Sequence, residues 1–146
     1  MVAEGVQIPV QNRFRTAARQ RRRPPKPEVG DYFCTPGGQS LVFCFAYSTP
    51  HPTGPNRGEK VRKLRQDEVF GPVMRMHKNE RFLSVEVPMW VERWDWGSRA
   101  WCWQKNLVWV NIFCYTNMVH FATMVPRQDV EEWKRHGWWM DGLEEV

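Results

Sequence analysis

Asn106–Pro126, NLVWVNIFCYTNMVHFATMVP, is the stretch on which the fold turns. It contains no Asp, Glu, Lys or Arg, and Lys105 and Arg127 bracket it. About twenty uncharged residues is what an α-helix needs to cross roughly 30 Å of hydrocarbon. Trp101, Trp103 and Trp109 would then sit near one interface, and Trp133, Trp138 and Trp139 beyond the other, as an aromatic belt does. On a helical wheel Thr116, Asn117, His120 and Thr123 fall within one arc of about 120°. The opposite side carries Val108, Ile112, Val119 and Phe121, interrupted by Asn111. A polar stripe of this kind packs against neighbouring helices, where Thr, Asn and His find hydrogen-bond partners. The competing reading is a pair of buried strands. Leu107–Tyr115 is rich in Val, Ile and aromatics, and Thr116-Asn117 can turn into Met118–Val125. The spanning helix over about 106–125 is the expectation, with the strand pair as its rival.

Upstream, residues 31–90 read as β-rich. Gln39–Tyr47, QSLVFCFAY, is a compact apolar run between Gly37-Gly38 and Pro50. Residues 48–58, STPHPTGPNRG, have the Pro, Gly and Asn content of an exposed loop. Val69–Met76 is a second strand candidate, broken by Gly71-Pro72. Phe82–Val87 alternates, with Leu83, Val85 and Val87 on one face and Ser84 and Glu86 on the other. Downstream, Arg127–His136 predicts a short helix. Asp129 suits its cap, Glu131 and Glu132 its first turn, and Lys134, Arg135 and His136 its last, before Gly137. The tail that follows, WWMDGLEEV, has the look of a docking segment.

The net charge of +5 over 146 residues is unevenly distributed. Residues 5–27 hold Arg13, Arg15, Arg19, Arg21, Arg22, Arg23 and Lys26 without one acid, so the remainder carries −2. Pro9, Pro24, Pro25 and Pro27 keep this arm extended, with room for one short basic helix over Asn12 to Arg23. An arm of this type meets nucleic-acid phosphate, anionic lipid or an acidic protein groove. Its acid-poor, Arg-rich composition also resembles a mitochondrial targeting segment.

Catalytic patterns are missing from the sequence: there is no GxSxG, P-loop, GxGxxG, HExxH or EF-hand loop. Cys34, Cys44, Cys102 and Cys114 are separated by nine, fifty-seven and eleven residues, which fits neither a zinc site nor a redox pair. They read as buried or isolated thiols, with a Cys34–Cys44 disulfide as the alternative. His51, His77, His120 and His136 have no paired spacing. No catalytic, metal or cofactor site is expected.

The sequence therefore predicts an α+β chain in four parts. These are a basic extended arm (1–30), a small β-rich domain (31–97), a single transmembrane helix (98–126) and a C-terminal helix with a docking tail (127–146). The expected role is that of a non-catalytic accessory subunit holding neighbours together in a multi-subunit membrane complex. A respiratory-chain or ATP-synthase assembly of the mitochondrial inner membrane is the setting favoured, with other protein subunits and lipid as partners. The alternative is a soluble β-rich protein of an organellar ribosome or other ribonucleoprotein, its arm on RNA. A viral coat protein also fits an arm on a β-fold, but too few strands were countable for a jelly roll.

Overall fold

A computed structural model describes residues 26–36, 44–50, 59–116 and 119–136. The chain is mostly β. Its strands are β1 (Tyr32–Cys34), β2 (Phe45–Tyr47), β3 (Lys60–Lys63), β4 (Val69–Phe70), β5 (Arg75–Lys78), β6 (Phe82–Asp95), β7 (Ala100–Cys114), β8 (Val119–His120) and β9 (Thr123–Val125). The helix α1 (Arg127–His136) follows them over the residues its charge pattern predicts. The basic arm, the 48–58 loop beyond Pro50 and the WWMDGLEEV tail lie outside the described residues, as do Arg13, Arg15, Arg19, Arg21, Arg22 and Arg23.

Two antiparallel sheets result, ordered β4-β1-β9 and β3-β2-β7-β6-β5, with β8 pairing the end of β7. The small sheet has two unlike faces because its strands alternate. Phe33 sits on one side and stacks against Phe70 with ring centroids 6.1 Å apart. That side joins Val73, Leu83, Val85, Val87, Met89, Val91, Val108, Val110, Ile112 and Phe113 in the main core. Tyr32 and Cys34 point the other way, with Val125, and Val130 and Trp133 of α1 cover them. The order through the molecule is thus helix, small sheet, large sheet. Gly71 turns the chain between β4 and β5 at φ +142°, a conformation that favours glycine. A Cβ there would lie 2.7 Å from the Tyr32 ring and 2.8 Å from the Asp31 carbonyl.

The spanning helix does not form, and the α+β class built on it is corrected to a mostly β fold. No helix among the described residues is long and apolar enough to cross a membrane. Residues 106–114 are instead the second half of β7, the Tyr115-Thr116 turn follows, and β8 and β9 complete the stretch. The physical reason is the period. Val108, Val110 and Ile112 are fully buried in the main core, while Leu107, just before them on the opposite face, is about half exposed. The run is uncharged because the base of this hairpin is covered on both sides, as strands within a double-sided core are. Trp109, on the face opposite Val108, is buried as well, beneath Arg75 and edge-on to His77. The hairpin β6–β7 also runs across residue 97, where the β-rich domain was expected to end.

The polar stripe dissolves with the helix. Thr116 is exposed in the turn, His120 lies on β8 and Thr123 on β9, and Asn117 is outside the described residues. His120 packs edge-on against Phe113, with ring centroids 4.6 Å apart.

Candidate binding face

β6 and β7 form one long ladder, Phe82↔Cys114 to Asp95↔Ala100, with a bulge at Leu83/Ser84. The other strands pair only with its base: β5 reaches Glu86, and β2 reaches Trp109. Beyond these points the hairpin projects as a two-stranded ribbon.

Directly opposed residues share a face, so the register assigns every ribbon side chain. One face carries Val87, Met89 and Val91 of β6 with Val108 of β7, all buried. The other carries the rungs Trp94/Trp101, Glu92/Trp103, Trp90/Lys105, Pro88/Leu107 and Glu86/Trp109. Four of its tryptophans reach solvent: Trp101 and Trp103 are 63% and 62% exposed, Trp90 and Trp94 36% and 38%. Trp96 in the connecting turn is 81% exposed. Trp94 packs edge-on against Trp96 and Trp101, with centroids 5.9 and 5.7 Å away. Lys105 lies over the Trp90 ring at 5.6 Å. Bare indole in this amount is rare on an isolated soluble surface and marks a contact region.

Towards its base the same face carries an ion pair. The Arg75 guanidinium lies 5.9 Å from the Trp109 ring centre. Its Nε and Nη2 donate to the two carboxylate oxygens of Glu86, at 2.8 and 3.2 Å. The Glu86 hydrogen bond, then its charge, raise the Arg75 pKa above its ordinary value. At the tip, Asp95 accepts from Ser98 Oγ (2.7 Å) and from the Gly97 and Ser98 amides (3.3 Å each). These bonds, the hydroxyl first, hold its carboxyl below the usual range and fix the turn between the Trp-bearing strands.

The two ribbon edges differ. Rungs in which β5 faces Glu86 alternate with rungs facing β7, so the backbone amides of even β6 residues point to the outer edge. There Pro88 has no N–H to offer, and Arg62 Nε donates to the Trp90 carbonyl at 3.1 Å. Pro and a side-chain cap blunt that edge against further pairing. By the same alternation the odd residues of β7, Trp101 to Leu107, point their backbone groups away from β6. No strand among the described residues pairs with them there, since β2 stops at Trp109.

The expected membrane anchors are thus divided. Trp101 and Trp103 are exposed on the ribbon, Trp109 is at its buried base, and Trp133 is inside the helix–sheet layer. Of the arm, only Lys26 is described, and it is exposed. Trp90, Trp94 and Trp96 were not singled out from the sequence. Their signal was present as Trp at even spacings, 90, 94 and 96 on one side of the turn and 101 and 103 on the other, but the span reading absorbed it. All four cysteines are free, which excludes the Cys34–Cys44 bridge in this structure. Burial raises the Cys34 thiol pKa far above its ordinary value and pushes Cys44 up to about 12. No group of three or more His, Cys, Asp or Glu able to hold a metal occurs among the described residues.

No family model matches the chain, and neither a curated protein nor a solved structure matches it.

Proposed function

We propose that this chain is a non-catalytic structural component of a ribonucleoprotein assembly that binds single-stranded RNA with the Trp face of the β6–β7 ribbon and with its basic arm. The observation that carries this reading is the row of indoles, Trp90, Trp94, Trp101 and Trp103, on one side of an antiparallel ribbon. Bases of any identity stack on such rings, each worth about 1–3 kcal/mol, while cations follow the backbone. The acid-free arm adds seven positive charges in the same molecule. The membrane-complex expectation rests on a spanning helix, and the strands at Ala100–Cys114, Val119–His120 and Thr123–Val125 stand in its place. The exposed aromatic face is the feature that favours RNA over an acidic protein groove as the arm's partner.

The test is titration of the full chain with a single-stranded oligonucleotide, followed by Trp fluorescence at several salt concentrations. Binding with quenching is expected, with log affinity falling linearly as log salt rises. Trp101→Ala and Trp103→Ala should each weaken binding by about five- to thirtyfold, at about 1–2 kcal/mol of lost stacking. Unquenched fluorescence, or Trp variants that bind as the parent does, would refute the face as a stacking surface.

A further inference from the structure

The asymmetry of the ribbon edges points to a second macromolecular contact, and we infer that β7 pairs edge to edge with β7 of a second copy of this chain. This inference stands apart from the RNA reading, because edge pairing leaves the Trp face uncovered.

Only one edge is built for it. On β6 the outward positions include Pro88, which has no N–H, and Trp90, whose carbonyl Arg62 occupies. On β7 the outward positions are Trp101, Trp103, Lys105 and Leu107, with no proline and no pairing strand among the described residues. A two-stranded ribbon is marginal in water by itself, so the unpartnered edge is the natural place for a further strand.

The occupant follows from self-complementarity. A two-fold axis beside Gln104 pairs β7 with its own copy in antiparallel register. Trp103 then faces Lys105 of the second copy, and Trp101 faces Leu107. The first sets Trp103 beside a lysine that already lies over the Trp90 ring of its own chain. The second joins two of the exposed apolar side chains of the face. On the opposite face Gln104 meets Gln104, and Cys102 meets Asn106. No rung places like charges together. The length also agrees: this register uses the edge from Ala100 to Val108, which no strand among the described residues pairs between the tip turn and the point where β2 begins pairing. The product is a four-stranded sheet, β6-β7-β7-β6, whose blunted β6 edges face outward and stop further growth.

The rung of Cys102 and Asn106 provides the test. Within one chain the two positions are four residues apart on one strand, roughly 13 Å, too far for a disulfide. Across the proposed axis they form a non-hydrogen-bonded pair with Cα atoms about 4.5 Å apart, within disulfide range. Asn106→Cys in the full chain, nuclease-treated and mildly oxidised, should therefore run as a covalent dimer on a non-reducing gel, and the parent should not. Sedimentation equilibrium gives the second reading. Trp103→Pro removes an outward N–H and should raise the dimer dissociation constant by about tenfold or more, at roughly a kcal/mol per lost bond with two lost per dimer. Glu92→Pro, on the same rung but the opposite edge, should leave it unchanged. A chain that sediments as a monomer at every concentration, an Asn106→Cys chain that stays monomeric, or equal effects of the two prolines would each overturn the proposal.

Discussion

Val110 and Leu107 are three residues apart, so a helix over this segment would put them on one face. The ladder instead puts them on opposite faces: Val110 is fully buried beside Val85 in the main core, and Leu107 is about half exposed opposite Pro88. Val110→Ala removes two methyl groups from a site with no exposure. At about 0.8 kcal/mol each that is roughly 1.6 kcal/mol of transfer energy. The cavity left behind raises the cost to about 2–3 kcal/mol, since the surrounding Val and Phe side chains relax only in part. For a chain of this length each kcal/mol moves the midpoint by roughly 3 °C, so Tm should fall by about 6–9 °C. Leu107→Ala loses a side chain already half in water and should cost under about 1 kcal/mol, or roughly 3 °C at most. Thermal melts by circular dichroism, checked with urea titrations, measure both. Equal shifts for the two variants, or a larger one for Leu107→Ala, would refute the strand register and the two-faced ribbon with it.

Three further outcomes follow from the packing. Trp133→Ala should cost about 3–5 kcal/mol in urea unfolding, because Trp133 is 6% exposed and closes the layer between α1 and the small sheet. Gly71→Ala should prevent stable folding, costing on the order of 3 kcal/mol or more, because its Cβ meets the Asp31 carbonyl at a positive φ; a chain with unchanged circular dichroism and Tm would contradict this. Cys44 is held neutral by burial first and then by Glu68, with its pKa pushed from 9.0 to about 12, so the stability it contributes is whole below pH 9 and is lost as pH rises from 9 towards 12. Unfolding free energies at pH 8 and pH 10.5 should differ less in Cys44→Ala than in the parent, and iodoacetamide at pH 8 should label Cys102 well before Cys34 or Cys44 in the folded chain.

How much of this was legible in the sequence differs by element. The helix at Arg127–His136 was, because its charges follow the dipole and Val130 and Trp133 share one side. So was the strand at Phe82–Val87, which the structure extends to Asp95, with Ser84 and Glu86 of its second face buried as well. The Asn106–Pro126 stretch was misread for a specific reason. Length and lack of charge are shared by a spanning helix and by strands covered on both faces, and only the period separates them. Val108, Val110 and Ile112 carry a period of two, but Trp109 and Phe113 blur it, since burial on the second face also selects aromatic residues. The ribbon face was legible in part. Trp at 90 and 94, and at 101 and 103, are even spacings that align once the turn at 96–99 is known. No local rule gives the pairing of Trp94 with Trp101, because register depends on the distant partners β5 and β2 at the base. The edge asymmetry rests on Pro88, visible in sequence, and on the reach of Arg62 to Trp90, which only the tertiary fold reveals.

The most direct test of the account is an NMR measurement of close contacts along the ribbon. Non-hydrogen-bonded antiparallel pairs bring Cα atoms to about 4.5 Å, so their α-protons give strong cross-strand effects. The register predicts such contacts for Glu92–Trp103, Trp90–Lys105 and Glu86–Trp109, with the Trp94 and Trp101 rings in contact at the tip. Sequential amide contacts with α-proton contacts three residues apart through 106–125, in place of these cross-strand pairs, would mean a helix there and would contradict the ribbon, its Trp face and both proposals built on it.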